Sequence, residues 1–339
     1  MKSSTAQSGN EMRRNPITGG WVIYALSRRK RPRESLTHGM KGKGPAAYDE
    51  SCPFCPGNED RLPEIIMEYK GRGSKWLTRT VANKYPALTP EGDQYRKKEG
   101  LHVSMAGYGH HEVIIESPVH NRQLAVMSNR EVEAVIESYH RRYVSLMKMD
   151  QNMAAIIFRN SGSRSGASLP HPHSQIITAG IAPEYLRTQE CRAEHYFDDR
   201  GTCIYCDILK QELADGRRTI GENSSFVSFV PYAAEQPFEI WIMPRRHKAD
   251  FGNISDEEKS DLSFIHHALL KILFERLGNP DYNYLIRSCI KYRSEEPHLH
   301  WFLKIKPRIT TTAGFEMGSG MSINTNLPEE DAAFLRGED

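Results

Sequence analysis

Two long stretches of the chain repeat apolar side chains at spacings of three and four. They are NREVEAVIESYHRRYVSLMKM (residues 129–149) and SDEEKSDLSFIHHALLKILFERLG (residues 255–278). Both open with a capping residue and carry acidic residues early, so each predicts a long amphipathic helix. Shorter runs behave differently. HEVIIES (residues 111–117) and FEIWIMP (residues 238–244) alternate or stay apolar over strand lengths and stop at Pro118 and Pro244. MAAIIFRN (residues 153–160) and YNYLIRSCI (residues 282–290) are rich in β-branched or aromatic residues and also predict strands. LPHPHSQII (residues 169–177) places His171, His173 and Gln175 on alternate positions of an apolar run. In a strand these three polar groups share one face. Each half of the chain therefore reads as strands, one long helix, then two strands, an α+β pattern.

The two halves also repeat a chemical order. CPFC (residues 52–55) is matched by CIYC (residues 203–206), 151 positions on. HEVIIESPVH is matched by FEIWIMPRRH at an offset of 127, and HPH at 171–173 by HLH at 298–300 at the same offset. The polar segment TPEGDQYRKKEGLHVSMAG (residues 89–107), inserted in the first half, accounts for most of the change of 24 in offset. A duplicated unit follows. It predicts two tandem domains, residues 1–190 and 191–339.

Composition narrows the functional classes. Charged residues form 26% of 339 and the net charge is +2, which argues against a dedicated nucleic-acid binder. No run of eighteen apolar residues exists, which argues against a transmembrane helix, and the first residues lack the apolar centre of a signal peptide. A cytoplasmic enzyme without membrane partners is expected. Six cysteines include two CxxC pairs, with Cys191 and Cys289 left over. Such pairs in a chain with no export signal point to metal or redox chemistry rather than a disulfide framework. Pro56-Gly57 after CPFC disfavours the helix that thioredoxin-type chemistry needs.

Structural zinc takes four cysteine or histidine ligands in a tetrahedron, two of them commonly from CxxC. The first half offers Cys52, Cys55, His120 and His171. The second offers Cys203, Cys206, His247 and one of His298 or His300. If His171 binds metal, His173 stays free to attack phosphorus, with Gln175 placed to hydrogen-bond the phosphoryl oxygens. At the offset of 127, Phe302 stands where the second half would need a glutamine, so chemistry belongs to the first half. FRNSGSRSGASLPH (residues 158–171) is expected to cradle an anion with its backbone N–H groups, Asn160 and Ser168. Arg28 and Arg31 are expected to clamp a diphosphate.

These residues together resemble the galactose-1-phosphate uridylyltransferases of the histidine-triad superfamily. The resemblance runs from NPITGGWVIYALSRRKRP (residues 15–32) through CPFCPGNE, VANKYPAL, ESPVH and GASLPHPHSQ to GFEMGSGMSIN (residues 314–324). It implies two tandem histidine-triad-like domains, each an antiparallel sheet packed with helices. It makes His173 the residue that becomes nucleotidyl-histidine and Gln175 its partner. Cys52, Cys55, His120 and His171 match the family's zinc ligands. The second CxxC implies a second zinc with His300 as fourth ligand, where the repeat offset selects His298. Arg28, Arg31, Asn83, Asn160 and Ser168 fall where family members hold the nucleotide. Phe315 and Glu316 fall where they contact the hexose, often across a homodimer. The implied reaction is ping-pong transfer of UMP from UDP-glucose to galactose 1-phosphate. The C-terminal EMGSGMSINTNLPEE departs from the familiar sugar-contacting stretch and resembles a branch acting on ADP-glucose with phosphate. Hydrolysis of the intermediate by water is a further alternative.

Overall fold

The computed structural model describes residues 10–30, 46–71, 73 and 75–338, so Arg31 lies outside the described residues. The chain begins with β1 (Glu11–Arg14) and β2 (Trp21–Tyr24), then β3 (Ile65–Lys70), β4 (Trp76–Ala82), the small hairpin β5 (Lys97–Glu99) and β6 (His102–Ser104), and β7 (His111–Ile115). Helix α1 (Asn129–Met147) is followed by β8 (Ala154–Ser161) and β9 (His173–Ala179). Two helices, α2 (Glu184–Arg200) and α3 (Ile204–Asp215), lead into β10 (Thr219–Glu222), β11 (Phe226–Phe229) and β12 (Ile240–Pro244). Then come α4 (Asp256–Arg276), β13 (Tyr282–Arg287), β14 (Phe302–Pro307), α5 (Gly314–Ser319), β15 (Ser322–Asn324) and α6 (Pro328–Arg336).

Among the described residues, ten strands form one sheet in the order β10-β11-β12-β14-β13-β8-β9-β7-β4-β3. Every ladder in it is antiparallel. The fold is α+β, and the two halves meet at β8 and β13. The halves share a sheet rather than two separate cores, and the expected division at residue 190 falls inside α2.

The two long helices form where the spacing placed them. Ser128 caps α1 with Glu131 returning the bond, and Ser255 caps α4 with Glu258 in the same reciprocal way. Their apolar stripes, including Val135, Tyr139 and Leu146 of α1 and Leu262, Leu269 and Leu273 of α4, cover one face of the sheet across both halves. Each such side chain contributes about 1.5–3 kcal/mol on full burial, so this shared layer holds the halves together.

The other face differs between halves. In the second, α2 and α3 cover it, burying Trp241, Phe302, Phe229, Tyr205 and Leu209 in one cluster. In the first, a loop over residues 46–64 covers only part of it, through Cys52, Phe54 and Cys55 against Val81, Val113 and Ile115. A cleft remains there.

One row of paired residues fixes how the halves correspond. Val113 pairs with Gln175, Gln175 with Phe158, Phe158 with Leu285, Leu285 with Lys304, and Lys304 with Trp241. Reflected through the centre of the sheet, Lys304 matches Gln175 and Phe302 matches His173. This corrects the offset of 127, which set Phe302 against Gln175. Between these paired positions, Phe158 to Gln175 in the first half and Leu285 to Lys304 in the second, the second half is two residues longer, so the offset there is 129.

Candidate active site and metal centres

The residues before β9 do not form part of the strand. His171 sits in the bend that precedes it, and β9 begins at His173. Only His173 and Gln175 therefore share a face by strand alternation. His171 instead enters a buried cluster with Cys52, Cys55 and His120, under the loop that covers part of the same face. Its Nδ1 lies 3.5 Å from Cys52 Sγ and 3.7 Å from Cys55 Sγ, and His120 Nδ1 lies 3.5 Å from Cys55 Sγ. A tetrahedral zinc ion with bonds of about 2.3 Å to sulfur and 2.0–2.1 Å to nitrogen holds such atoms about 3.6 Å apart. The donor set and spacing fit that ion. His171 Nε2 reaches Ser117 O at 2.8 Å, so this nitrogen carries the proton and Nδ1 faces the metal position. Burial pushes its pKa down to about 4, which keeps the ring neutral as a ligand must be.

The loop over residues 46–64 is tied down from several sides. Asn58 Nδ2 donates to Cys52 O at 2.7 Å, and His120 N–H donates to Ala47 O at 2.9 Å. Arg79 on β4 bonds Glu68 at 2.8 Å and the loop's Glu59 at 2.9 Å. Phe54, between the two cysteines, meets the rings of both His171 and His173 edge-on at 5.8 and 5.4 Å.

The second cluster joins Cys203, Cys206, His247 and His300. Cys206 Sγ lies 3.2 Å from His247 Nδ1 and 3.7 Å from His300 Nδ1. His300 Nε2 donates to Pro244 O at 3.0 Å, the same arrangement that His171 makes with Ser117. The repeat offset had selected His298. Its ring points instead to Arg293 and Glu296, and only its carbonyl approaches Cys203.

His173 is buried at 6% exposure. Its Nδ1 lies 2.8 Å from His171 O, which only an N–H can satisfy, so the lone pair sits on Nε2. Burial lowers its pKa, with the bond to His171 opposing, so the ring is neutral. Behind it, Ser174 on the opposite face bonds Glu116, and Glu116 pairs with Arg159 at 2.9 Å, both fully enclosed. Arg159 also reaches Tyr282 at 2.7 Å. This charged network braces the strand that carries His173.

Two cavities meet at His173. The larger, about 670 Å³, is lined by Phe54, Asn83, Tyr85, Val113, Gln175 and neighbouring residues. The smaller, about 270 Å³, is lined by Arg159, Asn160, residues 161–163 and Gln123. Ser168, Leu169 and His173 belong to both walls. Asn83, Asn160 and Ser168 are thus brought to His173. Arg28, in the helical turn Leu26–Lys30, lines neither cavity. Nor do Phe315, half-exposed on α5, and Glu316, whose carboxylate accepts from Ala313 N–H.

The glycine- and serine-rich loop is not the open backbone cradle expected. The N–H of Arg164 is donated to Asp281 at 2.6 Å, and those of Ser165, Gly166 and Ala167 go to carbonyls of the same loop. Gly162 permits this turn: its φ is +86°, and a Cβ there would lie 1.9 Å from Asp281 Oδ1.

Sequence reasoning missed His111 on β7. Strand alternation from Val113 would have placed it on the cleft face, and its Nε2 lies 2.7 Å from Gln175 Oε1. Among the described residues, no helix is long and apolar enough to cross a membrane.

A duplicated sheet with a Cys2His2 cluster in each half, and a histidine beside one of them facing a cleft, defines a tandem histidine-triad type of protein. Family comparison agrees. The galactose-1-phosphate uridyl transferase N-terminal domain matches residues 2–183 and its C-terminal domain residues 189–324, and the chain belongs to that family. It is 32% identical over 337 residues to the ADP-glucose phosphorylase of Arabidopsis thaliana, covering 98% of this chain and 94% of that one. It is 28% identical to the galactose-1-phosphate uridylyltransferase of Thermotoga maritima, covering 96% and 98%. The crystal structure of the Arabidopsis thaliana ADP-glucose phosphorylase with bound ADP-glucose superposes with a TM-score of 0.83 at 31% identity, covering 97% of this chain and 99% of that one.

Proposed function

We propose that the protein moves a nucleoside monophosphate from a nucleoside diphosphate hexose to a phosphate-bearing acceptor through a covalent bond to His173. The observation that carries this is the fixed tautomer: Nδ1–H is held by His171 O, and the Nε2 lone pair belongs to the ring that lies between two cavities. In the first step Nε2 bonds to the α-phosphorus while the bond to the bridging oxygen breaks, and the hexose 1-phosphate leaves with that electron pair. In the second, an acceptor phosphate oxygen attacks the same phosphorus and the P–N bond breaks, returning the lone pair to Nε2. The proton on Nδ1 stays in place through both. Gln175 donates to the phosphoryl oxygens as their charge grows. We assign the nucleotide to the larger cavity with Asn83, and the departing sugar phosphate to the smaller with Asn160 and Ser168. Arg28 and Arg31 are assigned to the diphosphate on resemblance alone, and Phe315 and Glu316 to hexose contact across a homodimer.

Two zinc ions per chain suit the two Cys2His2 groups. The ion at Cys52, Cys55, His120 and His171 supplies a structural anchor two residues from the nucleophile.

For the donor, ADP-glucose with inorganic phosphate as acceptor is favoured by the greater similarity to the ADP-glucose phosphorylase. UDP-glucose with galactose 1-phosphate, which the motif resemblance put first, is supported by the family model and the Thermotoga maritima relative. Parallel initial rates decide between them. ADP-glucose plus phosphate is expected to turn over faster by about tenfold or more, the ratio given by about 1.4 kcal/mol of transition-state binding. A preference for UDP-glucose plus galactose 1-phosphate reverses this assignment, and equal rates with water alone as acceptor would make the protein a hydrolase.

A further inference from the structure

We infer that His111 is a positioning residue that sets which way the Gln175 carboxamide faces, an inference that rests on the covalent reading above. His111 pairs with Ile177 and Val113 with Gln175, so His111 and Gln175 are diagonal neighbours on the cleft face of the sheet. The N–H of Ala87 donates to His111 Nδ1 at 3.1 Å. That bond requires the lone pair on Nδ1 and places the proton on Nε2. Nε2–H then donates to Gln175 Oε1 at 2.7 Å. With its oxygen held, Gln175 has only N–H donors left to offer a ligand.

The need for such a lock follows from the amide itself. The terminal torsion of glutamine is broad and roughly two-fold, so an unheld carboxamide turns over readily. Turned over, it would set an oxygen against the anionic phosphoryl group instead of two donors. Asn83 is locked beside it: its Oδ1 accepts from Tyr85 N–H at 2.8 Å, and its N–H donates to His111 O at 2.9 Å. Its Nδ2 lies 3.0 Å from a His111 nitrogen whose proton is already committed to Gln175. Burial lowers the His111 pKa, partly offset by the Gln175 bond, consistent with the neutral tautomer.

The second half supplies an independent observation. The residue matching Gln175 there is Lys304, which pairs with Trp241, and the residue diagonal to it, immediately before β12, is Glu239. These two form an ion pair at 3.2 Å, sealed beside the Trp241 ring. The same diagonal thus carries a charged, closed pair in the half without a nucleophile. In the half with His173 it carries a neutral donor–acceptor pair open to the cleft.

The test is single-turnover formation of the nucleotidyl-enzyme with ADP-glucose or UDP-glucose and no acceptor, followed by mass shift. His111→Ala is expected to slow this step by about 10–100-fold, part of the 10²–10³ that one charge-stabilising donor is worth. Nucleotide-sugar binding should change by less than about threefold, because the lost contact acts on the developing charge. His111→Gln, which can accept from Ala87 and donate to Gln175, should recover most of the rate. The double variant His111→Ala/Gln175→Ala should be no slower than Gln175→Ala alone. A His111→Ala enzyme at the wild-type rate overturns the inference, as does a fully additive double variant. If the wild-type protein gains no nucleotide from either sugar, the covalent reading falls and this inference with it.

Discussion

A His173→Gly variant is expected to lose nucleotidyl transfer by about 10⁶-fold, the scale seen when a covalent nucleophile is removed. Zinc content and cooperative folding should survive. The ring's hydrogen bond is to His171 O, and its packing partner is the edge of Phe54. Neither contact joins the two core layers. The space left by the imidazole lies between the cavities, so a nucleoside phosphorimidazolide, which brings its own imidazole, should restore part of the second half-reaction. Incubation with a nucleotide sugar alone should label a peptide spanning residues 169–177 in the wild type, and leave His173→Gly unlabelled. Gln175→Ala should still become labelled, about 10²–10³ more slowly. Ordinary turnover by His173→Gly, or a label mapping elsewhere, would refute the mechanism.

The cysteine–histidine clusters were more legible in the sequence than the register that assembles them. Cysteine and histidine positions are readable because a tetrahedral donor set tolerates few substitutes, and both expected clusters assemble. The helices α1 and α4 were readable because each begins with a reciprocal cap and carries an apolar stripe. Helix α2 was not, because several of its buried positions are polar: Gln189 and Glu190 face inward beside Leu186 and Ala193. Glu190 there accepts from Ile290 N–H at 2.9 Å, an interaction that hydropathy cannot show.

The histidine of the second cluster was misread by the repeat offset for a subtler reason. Two extra residues in a connecting loop move every later position by two. Strand alternation has the same period, so inward positions stay inward and the hydrophobic pattern keeps its phase. His298 and His300, or Phe302 and Lys304, can trade places without any visible conflict. Only the ladder between β13 and β14, with Leu285 opposite Lys304, settles the register. His111 went unread because its role depends on Ala87, 24 residues earlier, which fixes its tautomer.

The two Cys2His2 groups should respond differently to loss of a ligand, because one adjoins His173 and the other does not. Cys52→Ser and Cys203→Ser are each expected to remove about one of two zinc ions, measured by elemental analysis of purified protein. Structural zinc contributes folding free energy directly, apparent values reaching about 10–16 kcal/mol in small zinc domains, so both variants should melt well below the wild type. Cys52→Ser should also reduce the rate of histidine labelling in protein that remains folded. It frees His171, whose carbonyl holds His173 Nδ1–H, and loosens the loop that presses Phe54 on both rings. Cys203→Ser should leave that rate closer to wild type at low temperature. Cys203 caps the start of α3, over the face of the sheet where Phe302 and Lys304 stand in place of His173 and Gln175. His300→Ala should empty the second site and His298→Ala should leave it filled, since the His298 ring is turned toward Arg293 and Glu296. Zinc-free protein with its CxxC thiols joined as disulfides would end the metal assignment. Loss of metal from His298→Ala with retention by His300→Ala would restore the register that the ladder rejects.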